Sequence, residues 1–283
     1  MPTEASDPQQ LDLTGQVALV TGGGDGLGRA FALALARAGA RVALTARRAE
    51  PLTETAVLVR RSGGRALAIP GDVTVSDAVT RVVSAAESQL GPIDILVNSA
   101  GVVGPLGYDW QVDPEDWWRT FEANVLGSFR CAREVLARMV TRKRGRIVNV
   151  SSGAGFNRLP QMSAYCASKA AVTQWTKILA EDTRAHGIAV FAFHPGVVRT
   201  PMLASLTESP DVPNEVGDRF RAFVSQRRDT PIERCTEMLL FLVSGRADKL
   251  SGRFIRAQDN EEELVRRAEE IQRDDLHTVT LRT

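Results

Sequence analysis

Tyr165 and Lys169 stand four residues apart in the run Tyr165-Cys166-Ala167-Ser168-Lys169. At the start of a helix that spacing is about one turn, so the ammonium lies beneath the phenol on one face. A free phenol titrates near pH ~10, and a close cation favours the phenolate, moving the group toward a pH at which it can both give and take a proton. The same spacing also arises wherever a packed ring sits beside a solvated amine, so the reading depends on what surrounds it.

A second constellation points to nucleotide binding. The short apolar run Val17-Ala18-Leu19-Val20 leads into Thr21-Gly22-Gly23-Gly24-Asp25-Gly26-Leu27-Gly28. A helix with a broad apolar side (Phe31, Leu33, Ala34, Leu35, Ala38) follows, closed by Gly39, and Val42 to Thr45 reads as the next strand. This is the β-loop-α-β unit whose glycine turn seats a diphosphate on a helix N-terminus. Gly22, Gly26 and Gly28 permit the tight turn and the close approach of backbone to phosphate. No Gly-Lys-Ser/Thr follows, which excludes a Walker A loop.

The elements that must hold these residues alternate. Helices are predicted over 52–62, 76–90, from Asp113-Pro114 to about Thr141 with a break near Asn124, and over 163–186. Strands are predicted over 66–69, 93–97, 147–150 and 188–193. That rhythm implies an α/β fold, a Rossmann-type doubly wound parallel sheet of about seven strands with helices on both faces, in one domain over 14–258. Residues 1–13 read as a loose arm. The prolines at 201, 210, 213 and 231 around Met202, Leu203, Leu206, Phe220 and Phe223 suit a lid with short helices over 201–230. A helix over 233–243, a short strand at Phe254-Ile255 and a charged tail helix over 261–275 complete the chain. The tail's Leu264, Val265, Ala268 and Ile271 are placed to dock on the body or on a neighbour.

Composition narrows the partners. Among 283 residues, 35 Lys and Arg face 34 Asp and Glu, so no net field draws the chain to nucleic acid or a membrane. No apolar run approaches the ~20 residues that span a bilayer, and Met1 to Gln10 lacks a signal-peptide apolar stretch. Cys131, Cys166 and Cys235 lack metal-type spacing and fit reduced thiols, so a cytoplasmic location and no metal are expected.

The chain resembles the short-chain dehydrogenase/reductase family over residues 14–200. The resemblance rests on seven ordered motifs: Thr21-Gly22-x-x-x-Gly26-x-Gly28, Asp72-Val73, Asn98-Ser99-Ala100-Gly101, Asn124, Ser151-Ser152, Tyr165-x-x-x-Lys169, and Pro195-Gly196 with Thr200. Ser99 stands where the family usually has a second asparagine. The resemblance implies that Tyr165 donates and accepts the proton, that Lys169 lowers its pKa and holds the nicotinamide ribose, and that Ser152, rather than Ser151, holds the substrate oxygen. It further implies that Asn124 kinks its helix and positions a water, that Asn98 supports the strand end, that Asp72 and Val73 meet the adenine, and that Thr200 holds the carboxamide. Gly24, Asp25, Leu27, Ala100, Gly101, Pro195, Gly196 and Val198 complete the implied cofactor surface.

The function expected from this resemblance is NAD(P)-dependent interconversion of a carbonyl and a secondary alcohol on a small or medium organic molecule. Alternatives are an epimerase or dehydratase acting through a transient ketone, or a non-catalytic cofactor-binding interaction protein. Ala46 stands where NAD-using relatives commonly carry aspartate, and Arg47-Arg48 follow; this favours NADP(H) over NAD(H), because arginine pairs with a 2′-phosphate through two hydrogen bonds. Asp25 in the glycine turn argues the other way. Trp117, Trp118, Phe156, Leu159, Met162, Met202 and Leu203 are candidates for an apolar substrate surface, with His194 at its edge. A homodimer through the helices near 115–140 and 163–186, or a homotetramer, is expected, although the tail departs from relatives that end near a Gly-Gly dipeptide.

Overall fold

The computed structural model describes residues 11–278. Seven strands form one parallel sheet: β1 Val17–Thr21, β2 Arg41–Thr45, β3 Arg65–Ala68, β4 Ile95–Asn98, β5 Gly145–Val150, β6 Ile188–His194 and β7 Phe254–Arg256, in the order β3-β2-β1-β4-β5-β6-β7. The helices are α1 Gly26–Arg37, α2 Ala49–Arg61, α3 Ser76–Leu90, α4 Pro114–Phe121, α5 Gly127–Arg142, α6 Ser163–Thr183, α7 Pro201–Glu208, α8 Asn214–Ser225, α9 Ile232–Val243, α10 Glu261–Arg266 and α11 Ala268–Arg273.

Alternation along each strand decides which helices it carries, because successive side chains leave opposite faces of a sheet. In β1, Ala18 and Val20 join the core formed with Phe31 and Leu35 of α1, Leu52 of α2 and Leu239 of α9. Val17 and Leu19 point the other way, to Val79 and Val83 of α3 and Val135 and Met139 of α5. All five residues of β1 are buried, as expected for a central strand covered on both sides.

The strand order reverses between β1 and β4, and their ends lie level, Thr21 opposite Asn98. Such a reversal opens a crevice at the carboxyl ends of the strands. The Thr21 hydroxyl holds the two chains together there, accepting from the Ser99 (3.1 Å) and Ala100 (3.0 Å) amides.

Two expectations change on contact with the fold, and the helix break expected near Asn124 takes a definite form. The arm expected to reach residue 13 includes Leu13, which is buried and donates its N–H to Ala38; residues 1–10 lie outside the described residues. The tail is two short helices broken at Arg267 rather than one, and it docks on the body through Leu264, Ala268 and Ile271, while Val265 is exposed. Buried Arg253 fixes that docking by pairing with Asp275 and donating to the Gln272 side chain (2.6 Å). The long helix expected through residue 141 is resolved by a π-helical turn at Glu122–Leu126, between α4 and α5, in which Asn124 is buried.

Candidate active site

The glycine turn is built so that only glycine fits. Gly22 has φ +67°, and a Cβ there would meet the Ala100 backbone at 2.9 Å; a Cβ on Gly28 would stand 2.1 Å from the Gly22 carbonyl. Arg29, which the sequence reading did not single out, ties this turn to α2 by donating to the Gly24 carbonyl (2.6 Å) and pairing with Glu54. Asp25 occupies the N-cap of α1 without a side-chain capping bond, so its carboxylate does not occupy the first-turn amides. It pairs instead with Arg48 across the crevice.

Two cavities flank the turn. The larger, about 510 Å³, runs from Gly22, Asp25 and Leu27 past Gly101 to Ser152, Tyr165 and Lys169, and it is closed by Pro195, Gly196, Val198 and Thr200. The smaller, about 260 Å³, is lined by Gly24, Arg47, Arg48, Asp72 and Val73. Thr21, Asn98 and Asn124 lie buried behind these walls. Asn98 donates to the Asn149 side chain (2.9 Å) and the Ser128 carbonyl (3.2 Å), bracing the end of β4 against β5 and α5. The Asp72 carboxylate accepts from the amide (2.9 Å) and hydroxyl (2.8 Å) of Thr74, so one of its oxygens holds its own turn.

Asn124 spends its whole amide. Its Oδ1 accepts from the Val102 amide (2.8 Å), and its Nδ2 donates to the Val102 carbonyl and the Ser168 hydroxyl, both at 2.9 Å. The π-helical turn thereby fastens the loop after β4 to the helix that carries Tyr165. The two serines separate. Ser151 is buried, with its hydroxyl engaged by Thr173 (2.6 Å) and the Lys169 carbonyl (3.2 Å), whereas Ser152 caps a short turn by accepting from the Ala154 amide (3.1 Å) and faces the phenol.

Burial dominates the electrostatics of the site. Burial pushes the Tyr165 phenol above its ordinary 10, a hydrogen bond with Ser152 pulls it back, and Cys166 raises it slightly further. Burial also lowers the Lys169 ammonium, to about 8, and its Nζ donates to the Val150 carbonyl at 2.8 Å. Taking a charge out of water is costly for both groups. His194 is likewise lowered to about 4, first by burial and then by Arg256, with Asp259 opposing. Its Nδ1 accepts from the Gly153 (3.2 Å) and Gly196 (3.3 Å) amides, joining the Ser152 turn to the Pro195-Gly196 turn.

The apolar surface differs from expectation. Leu159, Met162, Met202 and Leu203 line the larger cavity, but the aromatics do not. Trp117 donates to the Ser163 hydroxyl (3.0 Å), Trp118 is 57% exposed, and Phe156 packs edge-on against Phe254. Phe220, Phe223, Arg219 and Arg228 take their place from α8 and the turn after it.

A parallel sheet with a glycine turn at its switch point, and a Ser-Tyr-Lys cluster across the crevice, define a dinucleotide-linked oxidoreductase. Residues 16–211 match the short chain dehydrogenase family. The chain belongs to that family, and it is an oxidoreductase of the carbonyl–alcohol couple. A short chain dehydrogenase of Pseudocercospora fijiensis is 40% identical over 204 residues, 71% of this chain and 65% of the relative's length. Among solved structures, an actinorhodin polyketide ketoreductase variant with NADPH is 33% identical, covering 85% of this chain and 95% of its own, with TM-score 0.78. A 7α-hydroxysteroid dehydrogenase complexed with NADH and 7-oxo glycochenodeoxycholic acid is 29% identical, covering 89% and 96%, with TM-score 0.80.

Proposed function

We propose that the chain is an NADP(H)-preferring reductase of ketones or aldehydes, running in reverse as an alcohol dehydrogenase, with Ser152, Tyr165 and Lys169 as its working side chains. The observation that carries this reading is their convergence on one wall of a cavity that continues past the glycine turn. The residues present fit a nicotinamide dinucleotide, because the tight turn that Gly22 and Gly28 permit opens onto both cavities and leaves the first-turn amides of α1 uncapped by Asp25. The glycine turn and the α1 amides would hold the diphosphate, Arg47 and Arg48 the 2′-phosphate, Lys169 the nicotinamide ribose and Thr200 the carboxamide. That cofactor supplies or receives the hydride at the carbonyl carbon.

The protein's own part is positioning and proton movement. The Ser152 and Tyr165 hydroxyls donate to the carbonyl oxygen, and as charge develops there the phenol proton passes to it, leaving an alcohol and a phenolate that regains a proton from solvent. A phenol held above its ordinary pKa is protonated at neutral pH, which suits reduction. Asn124 positions the site by holding Val102 and Ser168. The α7 and α8 segment roofs the cavity and would act as the lid.

Absence of any helix long and apolar enough to cross a membrane among the described residues, together with three free cysteines, supports a cytoplasmic enzyme. Trp118, Phe129 and Ile178, exposed at 57%, 45% and 51% on α4, α5 and α6, support a homo-oligomer built on those helices. A panel of ketones, aldehydes and alcohols offered with each cofactor, followed by absorbance of the reduced nicotinamide, tests the function. Tight NADPH binding without turnover of any member would overturn it.

A further inference from the structure

Two arginines face the larger cavity from above the Tyr165 helix without an anionic partner. Arg219 lies on α8 and Arg228 just beyond it, and both line the space that Ser152 and Tyr165 bound below. The Arg219 Nη1 is buried and has no hydrogen-bond partner. Among the described residues no carboxylate stands within ion-pair distance of either guanidinium. The segment does not lack acids: Asp218 pairs with Arg221, Asp229 with Arg199, and Glu215 accepts from Gln161. Those carboxylates turn to other donors and leave Arg219 unanswered. Arg228 has a weaker substitute, its guanidinium lying 4.4 Å from the centre of the Phe223 ring.

The surroundings make that arrangement costly unless something fills it. Met162, Leu206, Val216 and Phe220 form an apolar cluster with Tyr165 and Cys166. Arg219 is close enough to Cys166 to oppose the upward push of burial on its thiol. A guanidinium nitrogen shielded from water in such a place is satisfied by a planar or tetrahedral oxyanion, to which arginine donates in pairs. The cavity thus combines three kinds of lining: the Ser152 and Tyr165 hydroxyls, apolar side chains such as Met162 and Leu206, and the two guanidinium groups.

We propose that the substrate is an amphipathic oxo acid, or the matching hydroxy acid, whose terminal oxyanion is held by Arg219 with help from Arg228 while its carbonyl reaches Ser152 and Tyr165. The proposal rests on the reductase reading above for the reacting end, and on the arginines alone for the charged end. It gives the pocket a direction, because an apolar body with one charged terminus can enter in only one orientation without burying its charge among Met162 and Leu206.

Isothermal titration of the full chain loaded with NADPH separates the two ends. The probes are octanoate, octyl sulfate, octyl phosphate and the uncharged octanol. At least one anion should bind tenfold or more tighter than octanol, and the one preferred identifies the oxyanion that fits. Arg219→Met should abolish that preference while leaving octanol binding within twofold, and Arg219→Lys should restore part of it. Tyr165→Phe should leave it intact. Equal binding of octanol and all three anions, or a preference that survives Arg219→Met, would overturn the proposal. So would competition between the anions and NADPH, which would assign the arginines to the cofactor's phosphates. No turnover is needed for these measurements, so failure of carbonyl reduction and failure of anion binding are read separately.

Discussion

The Lys169 ammonium stands 5.7 Å from the centre of the Tyr165 ring and donates its hydrogen bond to the Val150 carbonyl. The pair is on one helical face, as its spacing requires, and burial raises the phenol while Ser152 lowers it. With Lys169 lowered to about 8, its charge is lost on the alkaline side of neutrality. The kcat/KM for reduction should therefore be level below about pH 8 and fall above it, since this parameter reports groups of the free enzyme. Lys169→Arg, whose guanidinium keeps its proton, should remove that alkaline limb whatever its absolute rate. A wild-type profile flat to pH ~10 would contradict the assignment.

Replacing Tyr165 by phenylalanine removes one hydroxyl and little volume. Reduction should slow by about 10²–10⁴-fold, the usual worth of a placed proton donor. NADPH affinity, measured by fluorescence titration, should change by less than a factor of about three, under 1 kcal/mol. Equal losses of both would show the ring to be structural.

Asp25 and Arg48 neutralise one another, and their side chains are 40% and 72% exposed. An exposed pair of this kind is worth no more than about 1 kcal/mol, so a 2′-phosphate can displace the carboxylate from Arg48. Asp25→Asn should then tighten NADPH binding a few-fold, and Arg47→Asp should shift preference toward NADH. Ratios of dissociation constants for the two cofactors decide it; unchanged ratios in both variants would remove Arg47 and Arg48 from the phosphate site.

His194 offers a stability test with a definite sign. Its folded pKa of about 4 lies below the ordinary 6.5, so between those values the unfolded chain binds a proton that the native chain refuses. Stability from this residue is present above pH 6.5 and is lost as pH falls toward 4, by up to about 3 kcal/mol. In His194→Asn the decline of Tm between pH 7 and 4 should be shallower. Parallel declines in the two proteins would show that the ring does not resist protonation.

The tail should matter to folding. Arg253 is 7% exposed at its side chain and answered by Asp275, which also holds Lys177. Asp275→Ala strands a buried guanidinium that keeps only Gln272 and Leu276, and should cost about 2–3 kcal/mol in urea unfolding. A loss below about 0.5 kcal/mol would mark the pair as a surface contact.

The sheet and its helices were legible because apolar runs and glycine stops are local signals, and the motif residues at 22, 124, 152, 165 and 169 carried their own spacing. The π-helical turn was anticipated as a break near Asn124, though not its fastening to Val102, which lies 22 residues away. The upward push of burial on Tyr165 was not legible because it is collective, contributed by Met162, Leu206 and Val216 from separate elements. Arg219 and Arg228 left no signal for the same reason. Nothing in a proline-rich stretch says which side of a short helix will face inward. Trp117 and Trp118, candidates for the pocket lining, do not reach it, because helical spacing gives a face without saying what that face meets.

The five-residue π-helical turn around Asn124 holds one residue more than an α-helical turn can take up in the same space. A single deletion between Glu122 and Leu126 would let the segment rewind as α-helix with α5 left in register, so the change falls inside the turn itself and detaches the Asn124 amide from both Val102 and Ser168. Length as well as residue identity is thus a quantity this stretch must preserve, and a shortened chain should fold yet hold its proton donor out of line.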